Sequence, residues 1–292
     1  MKLGLFGINM GPLAAPDAGL RVAQAAEAAG FESLWAGEHV VLPVPQQPPS
    51  PLPAEYPMLD PAISFAWLAA HTRHVRLGTG IIILPQRNPL VLAKELASLD
   101  VLSQGRLIFG VGIGYLKPEF DALGIPFKHK AERTLEYLEA MRTIWTDPEP
   151  AYTGRFTSFS NVRAEPRPVQ QGGPPVVFGG HVPGAFERSV THAQGWYGFG
   201  LTEDSTRDCL HGLQNAAQRC ERPQALGTLE ISVTPFGNVD LDLARRYADL
   251  GVDRLIVLFP NDNPKTLFSL SVKEAAITDY VKRLGDEVIA RL

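Results

Sequence analysis

Eight times along the chain a short run of β-branched and aromatic residues is followed by a longer segment of helical period, and Gly, Pro or Asn punctuates each pair. That strict alternation constrains the fold more than any other feature. Strands joined through helices run parallel, and their crossovers are right-handed. Strands are expected at Leu3–Asn9, Phe31–Ala36, Val75–Leu84, Arg106–Gly112, Pro175–Gly180, Trp196–Gly200, Leu229–Phe236 and Arg254–Phe259. Helices are expected at about Asp17–Ala29, Asp60–Arg73, Asn88–Ser103, Lys130–Trp145, Pro183–Ala193, Glu203–Arg222, Asp240–Leu250 and Lys273–Arg291. Asp60-Pro61 and Asn88-Pro89 each set a capping side chain before a first-turn proline, and Gly30 and Gly251 close helices. Eight such units in 292 residues match an α/β architecture, one (β/α)8 TIM barrel over 1–292. An open doubly wound sheet has the same period, so closure is left to the structure.

Two stretches break the rhythm as insertion loops. The proline-rich 42–57 follows the second strand, on the face where barrel enzymes build their sites, and 146–174 precedes the fifth. Both are expected to shape a substrate pocket, the first as a lid. Balanced charge, Lys+Arg 27 against Asp+Glu 31, argues against nucleic acid as a partner. With no run of about 18 apolar residues the sequence has no transmembrane helix, and MKLGLFGINM reads as a first strand, not a leader. Cys209 and Cys220, on one helix, would stand about 16 Å apart, beyond disulfide reach. A reduced, cytoplasmic enzyme is the expectation.

In a barrel the chemistry lies at the C-terminal strand ends. There the sequence places Asn9, Glu38-His39, Thr79-Gly80-Ile81, the glycines of Gly110–Gly114, and Gly179-Gly180-His181. No Lys stands at a strand end to form a Schiff base, and the histidines are too scattered for a metal site, so none is expected. His71 and His74 read as residues of one helix's last turn. Gly112, Gly114, Gly179 and Gly180 are expected to let a ligand approach the backbone, and the turn before Pro183 suits a phosphate. The Gly110-x-Gly-x-Gly114 run lacks the acidic residue of a dinucleotide fingerprint. His39 beside Glu38 suits proton transfer near neutral pH. Trp35, Phe6 and Phe109 read as core.

At these residues the sequence resembles the bacterial luciferase-like monooxygenase family, and within it the branch that uses the deazaflavin coenzyme F420. The resemblance is carried by AAGFESLWAGEHV, by VRLGTGIIILPQRNPLVLAKELASLDVLSQGRLIFGVGIGYLKPEF, by ERTLEYLEAMRTIW, by GPPVVFGGHVPGAFERSVTHAQGW and by YADLGVDRLIVLFP. It implies a (β/α)8 barrel and F420-dependent hydride exchange with a small organic substrate. His39 would handle the proton, and Glu38 would orient it or contact the cofactor. Gly80 and Ile81 would form a non-prolyl cis peptide against the ring. Ile113, Gly114 and Tyr115 would line the cofactor, and Gly179, Gly180 and His181 would hold its phosphate. The resemblance also implies a homodimer. FMN, in an oxygen-using monooxygenase, is the alternative cofactor, and a cofactor-binding protein without turnover or a phosphate-binding isomerase are further alternatives. Gln194 replaces an Asp common in the family. Tyr115 stands where sugar-phosphate-oxidising members carry a Glu, so that substrate is not implied.

Overall fold

In the computed structural model, which describes residues 1–259 and 272–292, eight parallel positions close into a barrel. The strands are β1 Lys2–Phe6, β2 Ser33–Ala36, β3 Arg76–Thr79, β4 Ile82–Ile83, β5 Leu107–Gly112, the hairpin strands β6 Tyr152–Thr153 and β7 Ser158–Phe159, β8 Val176–Gly179, β9 Gly195–Leu201, β10 Glu230–Pro235 and β11 Arg254–Val257. The order β3-β2-β1-β11-β10-β9-β8-β5 is closed by pairing of β3 with β5, with β4 continuing the third position along β5. Helices α1 Pro16–Ala28, α2 Pro61–His71, α3 Pro89–Leu102, α4 Lys117–Ala122, α5 Lys130–Thr146, α6 Pro183–His192, α7 Glu203–Arg219, α8 Leu241–Asp249 and α9 Glu274–Glu287 follow in chain order. The expected caps form. Asp60 accepts from the Ala62 and Ile63 amides, and Asn88 from those of Leu90 and Val91.

Two cores result. One lies between strands and helices, and the other fills the barrel with Phe6, Trp35, Ile108, Val177, Tyr197 and Ile256. Phe109 belongs to the outer core. Trp35 explains two glycines beside it. A Cβ on Gly4 or Gly78, on the flanking strands, would lie within 2.8 Å of the indole. At the N-terminal face the buried Arg254 guanidinium donates to Glu32, Glu230 and Ser232 and lies 5.7 Å from the Trp35 ring. A fully buried charge needs such complete pairing.

Several boundaries differ from the sequence reading. The third strand breaks at Gly80–Ile81, whose peptide is cis. Helix α2 ends at His71 because Thr72 turns extended and its hydroxyl donates to Leu68 O. His74 therefore lies past the helix, its amide held with those of Arg73 and Val75 by the Glu27 carboxylate. Helix α7 stops at Arg219, and Arg222 instead donates to the carbonyls of Ser189, Val190 and Ala193 at the end of α6. Cys209 and Cys220 are both free. Pro260, which ends the last matching segment, lies outside the described residues. Among those residues no helix is long and apolar enough to cross a membrane.

The 146–174 insertion does not reach the mouth as expected. It leaves α5 and enters β8, so both its ends lie at the N-terminal face. Its hairpin packs on the outside of α5, where Glu136 accepts from the amides of Arg155, Phe156 and Thr157. Near its end Gln170 donates to Asp100 and to Leu107 O.

Candidate active site

Asn9 fastens the mouth. Fully buried, it donates to Gly37 O at 2.9 Å and Leu59 O at 2.6 Å and accepts from the Gly37 amide, tying β1, the end of β2 and the close of the proline-rich loop together. That loop lays Leu52 and Tyr56 on the apolar group of Phe6 and Met10, and burial pushes the Tyr56 phenol up to about 12.

His39 stands where the second strand opens onto the mouth. Its Nδ1 is 3.2 Å from Glu119 Oε2 and its Nε2 is 3.3 Å from the Tyr115 hydroxyl. Glu119 is buried, and its other oxygen accepts from the Val40 amide at 2.6 Å. A carboxylate only accepts, so Nδ1 carries the proton and Nε2 presents its lone pair. Burial, and then the nearby Glu119 charge, pushes the Tyr115 phenol up to about 12, which leaves it the donor to Nε2.

The orienting role expected of Glu38 thus falls to Glu119. The Glu38 carboxylate turns away, accepting from the Ile83 amide at 2.6 Å and from the Arg87 guanidinium, which also reaches Asp60 at 2.6 Å. Burial drives the Glu38 carboxyl above its ordinary range, against the pull of Arg87. Burial alone would lower Arg87, but Glu38 and Asp60 outweigh it and hold the guanidinium charged. Sequence reasoning missed Glu119 because α4 is only one and a half turns long. The available signal was Pro118 at a helix's first turn, one residue before the acid.

The remaining expected residues meet at the same mouth. The Gly80 amide donates to Ala36 O, and the Ile81 side chain lies across β5 and β8, where a Cβ on Gly112 would fall 2.0 Å from its Cδ1 and one on Gly179 would fall 3.3 Å from its Cγ2. Gly112 therefore makes room for Ile81, and Gly179 lies in close contact with it. Gly114 likewise yields to Ile83 and Phe120, and Gly180 to Ala185. Ile113 and Gly114 carry β5 into Tyr115, and the Gly114 carbonyl accepts from Lys130 at 2.6 Å.

His181 follows Gly179-Gly180 and precedes α6. Its Nε2 accepts from the Phe199 amide at 3.0 Å, burial lowers the ring's pKa, and the proton of the neutral ring sits on Nδ1. The amides of His181 and Val182 donate to no described acceptor, at the positive end of a ten-residue helix. Gln194 lies at the opposite, N-terminal end of β8, its Oε1 accepting from the Val176 amide at 2.8 Å. One mouth thus collects a positioned imidazole, an apolar floor and a helix start suited to an anion.

A sequence profile of the luciferase-like monooxygenase family matches residues 5–274. An uncharacterized protein of Mycobacterium tuberculosis is 33% identical over 273 residues, covering 90% of this chain and 91% of that protein. The oxygenase component of a flavin-dependent trigonelline monooxygenase of Acinetobacter baylyi is 30% identical over 176 residues, 60% of this chain and 46% of that protein. Among solved structures, an F420-dependent secondary alcohol dehydrogenase bound to an F420–acetone adduct superposes with a TM-score of 0.79 at 13% identity, covering 99% of this chain and 98% of that one. At that identity the likeness is one of fold.

Proposed function

The chain belongs to the luciferase-like monooxygenase family, whose relatives use F420 or FMN, and from that premise we propose that it is an F420-dependent oxidoreductase acting on a small organic substrate. The observation that carries the reading is His39, an imidazole held at Nδ1 by a buried carboxylate with Nε2 at the mouth.

The residues present fit a tricyclic redox ring with a phosphate-bearing tail. Ile81, seated where Gly112 and Gly179 lack side chains, makes an apolar floor, flanked by Gly80, Ile113, Gly114 and Tyr115. Gly179, Gly180 and His181 lead into the start of α6, where two amides with no acceptor among the described residues and the Nδ1–H of His181 suit a phosphate. When bound, the deazaflavin would exchange a hydride with the substrate.

The chain's own work is positioning and proton handling. Hydride exchange with an organic substrate leaves a proton to be taken or supplied, and His39 Nε2, which faces the mouth beside Tyr115, would take or supply it. Glu119 fixes the tautomer and stabilises the imidazolium that forms. Tyr115, protonated throughout, holds the ring until substrate displaces its hydroxyl. Glu38 anchors the turn after β4 through Ile83 and Arg87. The 42–57 loop excludes water above Phe6 and Met10.

A fluorescence-quenching titration of the purified chain with F420 and FMN tests the assignment. Saturable quenching with F420, at least about tenfold tighter than with FMN, is expected. The opposite ranking would install the flavin alternative, and indifference to both would remove the oxidoreductase reading.

A further inference from the structure

Arg188 stands in α6 one helical turn on from Gly184, and its guanidinium lies back along the first turn, where a Cβ on Gly184 would fall 3.3 Å from Nη1. The glycine leaves open the lane that the side chain occupies. Among the described residues Arg188 makes no hydrogen bond and no ion pair. Its Nε is buried without a partner, while its terminal nitrogens, equally unpaired, meet solvent. The neighbouring Glu187 is engaged by Arg219 at 3.2 Å. Burial lowers the Arg188 pKa, and Glu187 offsets this only in part. The placement is also electrostatically adverse, because a helix start carries partial positive charge and favours anions. A cation that is partly desolvated, unpaired and turned toward that end is unfavourable until a negative group joins it.

We propose that Arg188 is the cationic member of the anion site at the α6 start and pairs with the phosphate-bearing tail of the cofactor. The proposal rests on the oxidoreductase reading in one respect, that the anion belongs to that cofactor. The other donors at this helix start are neutral, two backbone amides and the His181 ring, whose pKa burial lowers. An anion met by those alone would have no opposite charge. A guanidinium supplies one, in a fork that matches two phosphate oxygens. Two other cations that flank the mouth are already held, Arg87 by Glu38 and Asp60 and Lys130 by the Gly114 carbonyl. Access is open as well, since His181, Val182 and Pro183 are all exposed.

Fluorescence-quenching titrations with two ligand pairs test this, F420 against its deazaflavin riboside without phosphate or tail, and FMN against riboflavin. Within each pair the ring is the same and only the anionic tail differs. Arg188→Gln keeps a long polar side chain and removes the charge. The wild-type chain is expected to prefer the phosphorylated member of the pair it binds by at least about tenfold. The variant should lose most of that preference, with its affinity for the tail-free member unchanged within about twofold. It should melt at the same temperature or higher, since no native pairing is lost and a cation leaves the positive end of α6. No preference in the wild-type chain, a preference that survives Arg188→Gln, or a variant melting several degrees lower would each overturn the proposal. Melting curves with and without about 10 mM pyrophosphate separate the two readings. A chain that binds a cofactor with a tail preference independent of Arg188 loses this inference alone. One that binds neither cofactor, yet is stabilised by pyrophosphate only while Arg188 is present, loses the redox reading and keeps the anion site. One that responds to none of these ligands loses both.

Discussion

His39 lies between two oxygens of different character, and that difference fixes what it does. Glu119 can only accept, Tyr115 keeps its proton, and so the lone pair of the ring is directed to Nε2. Replacing His39 by Ala removes the proton carrier but no part of the apolar floor. Turnover should fall at least about tenfold while cofactor affinity, read by quenching, stays within a few-fold, and unchanged turnover would remove His39 from the mechanism. Glu119→Gln separates positioning from folding. The amide oxygen can still accept from Val40, but its nitrogen would face Nδ1 as a donor and force the proton onto Nε2. We expect folding to be retained and turnover to fall at least about tenfold while cofactor affinity, read by quenching, holds within a few-fold, an outcome that a purely structural role for Glu119 would not produce. His39 was legible in the sequence because a histidine at a strand end is chemically conspicuous. Its partner was not, since eighty residues separate the two and only the fold brings them together.

Among the elements, the glycines of β5 show how a local sequence is written for a neighbour. Read along the strand, Gly110-x-Gly-x-Gly114 looks like a ligand turn, whereas in space Gly112 is the hollow that receives Ile81 from the third barrel position. A side chain at Gly112 would meet the tip of Ile81, which can rotate aside, so Gly112→Ala should leave the fold intact but lift Ile81 into the space assigned to the ring. Quenching titration should show at least about tenfold weaker cofactor binding, and the double variant Gly112→Ala, Ile81→Ala should recover part of it because the clash is gone. Additive losses in the double variant would disprove the coupling. Strand–helix alternation, caps and first-turn prolines were all legible, since each is a local pattern. What was not legible is where a long connection goes. The 42–57 and 146–174 stretches both break the strand–helix alternation, yet one follows a strand and reaches the mouth while the other follows a helix and stays below and outside. The connectivity of a barrel decides this, and composition does not enter.

For the molecule as a whole, the two ends of the barrel divide stability from chemistry. The N-terminal end is sealed by Arg254 among Glu32, Glu230 and Ser232, while the C-terminal end keeps a cavity and a directed imidazole. One surface belongs to neither task. Helix α2 reads PAISFAWLAAH, with no Asp, Glu, Lys or Arg, although an outer barrel helix normally shows a charged face to water. Its Ile63 and Trp67 are 71% and 44% exposed, and Val91 on the neighbouring first turn of α3 is 56% exposed. An apolar patch across two packed helices is what a self-associating barrel would present, and we propose that the homodimer implied by the sequence resemblance forms there. Sedimentation velocity at micromolar concentration should give a dimer. Trp67→Asp, placed one turn further along the same face as Ile63 and far from the residues around His39, should shift it to monomer without changing cofactor quenching. In a two-fold contact residue 67 enters the interface once from each subunit, so a single substitution buries two carboxylates. A wild-type chain sedimenting as a monomer, or a Trp67→Asp variant that remains dimeric, would move the interface off α2 and α3.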